Sequence, residues 1–221
     1  MKQPVLKNNL QNLLESAEHI LLLQGPVGDF FLRLADWLTA NGQTVHKFNF
    51  NAGDDYFYPP TQAHTVVFND DYEAFPEFLQ EYIVQHHIQA VVCFGDTRPY
   101  HVIAKRIANE NQANFWAFEE GYFRPYYITL EKDGVNAFSP LPRRADFFLE
   151  QFPKLAQQEY KAPTPVRGGF TPMAKKRHPL LYRIVPQSTQ IPRLHPPPRA
   201  QCRPLPQTVV ALHPQAFELL Y

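Results

Sequence analysis

Cysteine is nearly absent: Cys93 and Cys202 alone occur in 221 residues, one inside an apolar run and the other in an unusual tail, which excludes a disulfide framework and suits a reducing compartment. Charge of one sign is absent too. Lys plus Arg and Asp plus Glu both total 21, and no long run of either sign appears, so a phosphate-tracking nucleic-acid surface and a polybasic membrane patch are excluded. No stretch approaches the ~20 apolar residues of a membrane span, and the first ten residues carry no signal-peptide core. These absences place the protein in the cytoplasm and remove nucleic acid from its expected partners. What remains is a chain with 44% hydrophobic residues, enough to fill a sizeable core.

Hydropathy patterning predicts strands alternating with helices. Leu6 to Glu18 has helical spacing, His19 to Leu23 is a short apolar run, and Phe30 to Ala40 shows a broad apolar face stopped by Asn41-Gly42. Strands follow at Thr44 to Phe50 and Thr65 to Phe68, separated by a loop over Asn51 to Pro60. A helix from Tyr72 to His87, a strand from Gln89 to Phe94, a helix from Pro99 to Asn111 and a strand from Asn114 to Phe118 complete the series. That order implies an α/β fold with a mainly parallel, Rossmann-like sheet and helices on both faces. From Gly121 to Pro142 the pattern loosens, Arg144 to Tyr160 looks helical, and residues 161–176 read as a linker.

The last segment has a different character. Nine of the 22 prolines fall in residues 177–221, which hold one acidic residue, Glu218, and no lysine. No helix or strand period survives that proline density, so a disordered Pro-rich tail is expected. The genetic code also permits His178 to Pro186 to be re-read one base later as the amphipathic string Ile-His-Tyr-Tyr-Ile-Ala-Leu-Phe. A reading-frame slip after about residue 176 is therefore expected, with a second domain lost. The expected organisation is a Rossmann-like domain over residues 1–160, the linker, and the tail.

In open α/β sheets, ligands bind beyond the carboxyl ends of the strands. Four such ends carry polar or glycine-bearing loops. The first, Gln24-Gly25-Pro26-Val27-Gly28, can cradle an anion through backbone amides, with a tight turn as the plainer alternative; it lacks the signatures of a Walker loop or a dinucleotide fingerprint. The second, Asn49 to Asp54 with Asn51 within it, can bond sugar hydroxyls or simply bond itself. The third joins Asp96, Arg98 and His101 at the mouth of a helix, combining an anion binder with proton carriers, or an N-cap with a solvated arginine. The fourth, Glu119-Glu120 followed by Tyr122 and Arg124, places adjacent acids after a buried strand among aromatic residues, an arrangement suited to glycosyl transfer. Thr129 to Glu131 and Gly134 to Asn136 add polar groups of lower weight. No metal site is read from the sequence.

At these residues the chain resembles the KpsS-type capsule polysaccharide proteins, a family of retaining β-Kdo transferases. The matching strings are Leu21 to Gly28, Phe48 to Asp54, Phe94 to His101, Phe118 to Pro125 and Ile128 to Asn136. The resemblance implies the N-terminal half of a two-domain GT-B-type enzyme without a cofactor, taking CMP-Kdo as donor and a phosphatidylglycerol-type lipid as acceptor at the inner membrane. It also implies contacts with other capsule assembly or export proteins. Related Kdo transferases carry Glu-Asp-Gly-Phe where this chain has Glu119-Glu120-Gly121-Tyr122, which makes Glu120 the implied nucleophile. Glu119, Asp96 and His101 are then implied in acid/base or positioning work, and Arg98 and Arg124 in holding the donor carboxylate. Gln24, Gly25, Gly28, Asn51, Asp54 and Tyr122 complete the expected substrate contacts. A non-enzymatic assembly or export factor is the alternative, and the chain as written is expected to lack transferase activity.

Overall fold

A computed structural model describes residues 8–121 and 127–155. The linker, the tail, Tyr122 and Arg124 lie outside the described residues. Helix α1 (Asn9–Ser16) starts later than its periodicity suggests, because the Asn8 side chain accepts from the Gln11 amide at 2.8 Å and fixes the first turn there. Strand β1 (His19–Leu22) leads to α2 (Phe30–Ala40), which ends at Asn41, with Gly42 at φ 96° beyond it. Strand β2 (Thr44–Asn49) follows.

The expected loop after β2 contains a helix, α3 (Ala52–Phe57), nucleated by Asn51, whose side chain accepts from the amides of Gly53 and Asp54. The three-residue strand β3 (Thr65–Val67) comes next. The expected helix over 72–87 is a 3-10 turn (Tyr72–Ala74) running into α4 (Phe75–Gln85), with Pro76 in its first turn where no amide is needed. Strand β4 (Ala90–Phe94), helix α5 (Pro99–Glu110) and strand β5 (Asn114–Glu120) fall close to expectation. The loosely patterned stretch holds a strand, β6 (Ile128–Lys132), and a 3-10 turn (Asn136–Phe138), before α6 (Ala145–Leu155).

The six strands form one sheet in the order β3-β2-β1-β4-β5-β6, parallel through β5 and closed by the antiparallel β6. Because neighbouring strand residues point to opposite faces, β1 divides its side chains between two cores. Ile20 and Leu22 pack with α1 and α2, alongside Phe30, Phe31, Leu34 and Phe118. Leu21 and Leu23 pack with α4 and α5, alongside Phe75, Leu79, Ala104 and Ile107. Burial on both faces explains why β1 and β4 read as continuous apolar runs. Strand order reverses direction between β1 and β4, and the crevice of such sheets opens at that switch point.

Candidate functional site

The loops after β1, β2 and β4 meet at the carboxyl rim with the end of β5 and are tied to one another in a row. Gln24 Nε2 donates to Asp54 Oδ2 at 3.2 Å, joining the β1 loop to α3, and the Phe50 amide donates to the same oxygen at 2.9 Å. Arg98 Nη1 reaches the Gly25 carbonyl at 3.5 Å, spanning the switch point. Gly25 itself sits so close to α2 that a Cβ there would lie 2.9 Å from the Phe31 ring, while Gly28 takes φ 127° with open space around it. The first loop is thus both a tight turn and an open one.

Asp96 is buried, and its Oδ2 accepts from the Val135 amide at 2.9 Å. It holds the turn after β6 and caps no helix. Gly134, at φ 136°, lets that turn approach, since a Cβ there would stand 3.0 Å from Asp96 Oδ2 and 2.9 Å from the Phe138 backbone oxygen. Asn136, in the same turn, donates from Nδ2 to Glu119 Oε2 at 3.3 Å, and Glu119 Oε1 accepts the Glu120 amide at 2.9 Å. Further along, Ser139 Oγ donates to Glu131, a carboxyl that burial pushes above its ordinary range.

The two adjacent acids do not form a pair. Alternation along β5 sends Glu119 to the face of Ala117, toward Gly95 and Asn136, and Glu120 to the face of Phe118. Glu119 is half-buried and Glu120 is exposed at the strand end. Asp96 and Glu119 therefore share one side of the rim, and Glu120 leaves on the other.

His101 is fully buried on α5. Its Nδ1 contacts the Gly95 carbonyl, which only accepts, so the proton sits on Nδ1 and Nε2 is left as an acceptor with no partner. Burial lowers its pKa to about 4, against the opposing effect of that bond, so the ring is neutral near pH 7. It pins the β4 loop from beneath and does not open onto the rim.

One participant was missed in the sequence: Lys47, buried on β2. Its Nζ donates to the Phe48 carbonyl and stands 5.6 Å above the Tyr58 ring, and burial lowers its pKa to about 8, against the pull of Asp54 and Asp55. Nothing in the local pattern of Thr44 to Asn49 distinguishes it from a solvated lysine. Asn49, also buried there, donates to Asp55 Oδ1 and to the Tyr58 carbonyl, each at 2.8 Å. Away from the rim, a cleft of about 500 Å³ opens beside the amino ends of β1 and β2, lined by Glu15, Glu18, His19, Gln43 and Gln89 among others. Among the described residues no cluster of His, Cys, Asp or Glu could hold a metal ion, and no helix is long and apolar enough to cross a membrane.

The fold and rim define an α/β unit of Rossmann-like construction, with its polar loops gathered at the switch point of a mostly parallel sheet. Residues 89–192 match the family described as capsule polysaccharide biosynthesis protein. The chain is 95% identical over 175 residues to the capsule polysaccharide modification protein LipB of Neisseria meningitidis serogroup A, covering 79% of this chain and 42% of that protein. The LipB protein of a serogroup B strain matches equally. The capsule polysaccharide export protein KpsS of Escherichia coli is 37% identical over 182 residues, 81% of this chain and 44% of its own. The chain belongs to the KpsS-type family of capsule polysaccharide proteins. It spans under half the length of these curated relatives.

Proposed function

We propose that this chain carries the N-terminal half of a β-Kdo transferase of capsule assembly, which moves Kdo from CMP-Kdo to a phosphatidylglycerol-type lipid at the inner membrane without a cofactor. The single observation that carries the reading is an exposed carboxylate, Glu120, at the carboxyl end of β5, next in the chain to a half-buried one, Glu119, that a side-chain amide holds in place. In the proposed double displacement the Glu120 carboxylate attacks the anomeric carbon of Kdo and expels CMP, and the acceptor hydroxyl then attacks the same carbon, passing its proton to water and releasing Glu120 as a carboxylate. Glu119, Asp96 and His101 serve as positioning groups, since each bonds the local framework and His101 does not open onto the rim. Arg98 and Arg124 are the proposed partners of the donor carboxylate, and Gln24, Gly25, Gly28, Asn51, Asp54 and Tyr122 the proposed substrate contacts.

A second reading, a non-enzymatic factor that binds the lipid-linked glycan or other capsule proteins, draws on the similarity to KpsS, a capsule polysaccharide export protein. The two separate in the longer LipB background, at the position aligned with Glu120. Glu→Gln there removes the nucleophile but keeps the shape, so an enzyme loses transfer from CMP-Kdo by at least about a hundredfold, with its folding transition unchanged. Retained turnover overturns the nucleophile, and absence of transfer in the unsubstituted protein favours the second reading. The 221-residue chain itself is expected to show no transfer.

A further inference from the structure

Four of the nine histidines meet at the edge of the sheet remote from β6. His46, on β2, is buried beneath the others, with ring centroids 4.8 Å from His64, 5.2 Å from His86 and 6.0 Å from His19. They come from separate elements: His19 begins β1, His64 directly precedes β3, and His86 caps the end of α4. Tyr82 of α4 completes the ring, its hydroxyl 2.9 Å from His46 Nδ1, and it also packs on His86 with centroids 4.1 Å apart. His46 Nε2 has no partner. The charges that act on His46 from β1, from the β3 approach and from α4 are all imidazoles, and each disfavours its protonation.

Charge on any of the outer rings disfavours a proton on His46. Imidazolium charges brought this close together repel strongly where water is scarce. The joint the rings make lies at the shortest strand of the sheet. Strand β3 is three residues long and is held to β2 through bonds that include Lys47 N to the His64 carbonyl at 3.0 Å and Phe68 N to the Asn49 carbonyl at 2.8 Å.

We propose that His19, His46, His64 and His86 form an acid-sensitive latch that fastens the β3 edge and the end of α4 to the sheet when neutral and releases them when acid charges the cluster. The consequence reaches the rim, because β2 runs on to Asn49 and Asn51, which anchor α3 and its Gln24–Asp54 contact. The latch stands on the described geometry alone and does not depend on the capsule reading.

Residue-resolved hydrogen exchange of the 221-residue chain at pH 7.5 and 5.0, corrected for intrinsic rates, tests it. Protection of the Lys47 and Phe68 amides is expected to fall at least about tenfold more than that of the central Leu23 and Gly95 amides, which bond to Val92 and Phe118. A double variant, His64→Asn and His86→Gln, removes two outer charges while asparagine tolerates the left-handed backbone of residue 64. Its edge should keep pH 5.0 protection within about threefold of that at pH 7.5. Equal loss across the sheet, no acid loss at the edge, or full acid loss in the double variant overturns the latch. Edge protection that requires added zinc at neutral pH overturns it as well, in favour of a metal site.

Discussion

Asp96 shows how a residue suited to catalysis can be spoken for by structure. Its carboxylate oxygen takes the buried amide of Val135, and no ordinary side chain at position 134 would let that turn come so near. Removing the acceptor orphans a buried N–H group at a cost of about 1–3 kcal/mol. Asp96→Ala should therefore lose that much in urea denaturation, whereas Asp96→Asn, which keeps an oxygen in place, should lose well under half of it. Equal losses in both variants would show that the charge, not the hydrogen bond, matters. The sequence made Asp96, Arg98 and His101 legible as polar groups at a helix mouth, because a strand end followed by proline is a strong signal. Their partners were not legible, since Gly25 and Val135 lie 73 and 39 residues away in the chain and meet them only through the sheet order.

At the scale of elements, the inner strands and their helices were readable because burial on both faces leaves an unbroken apolar run. Two elements were not. Residues 51–60 carry Gly, two Asp and two Pro, a loop composition, yet the Asn51 side chain supplies both acceptor bonds that a first turn needs. Strand β6 hid among aromatics and polar residues because it pairs with β5 only, at the border of the sheet. If α3 depends on its cap, Asn51→Ala should cost about 1 kcal/mol, while Asn51→Ser should cost little. The check is the urea midpoint together with exchange of the Gly53 and Asp54 amides, and an unprotected wild-type helix would remove the premise.

The whole molecule carries its acid sensitivity in buried imidazoles. His46 and His101 are lowered to about 4, mainly by burial, from the ordinary 6.5 that they regain on unfolding. Above 6.5 both states are neutral and the full stability is present. Between 6.5 and 4 the unfolded chain binds protons that the folded chain refuses, so stability falls steadily as pH drops. Urea midpoints should accordingly decline from pH 7 to pH 5, before most carboxylates titrate, and a flat profile over that window would contradict the burial of both rings. The α/β class was readable at this scale from alternation alone, but the antiparallel turn of the last strand was not, for hydropathy records burial and not direction.

The borders of the sheet carry a consequence for how this unit meets other molecules. One border is three residues long and the other runs against its neighbours. The β3 border therefore offers a foreign backbone only a short track on which to add a strand. At that border, then, side chains rather than a long run of unpaired backbone face whatever approaches.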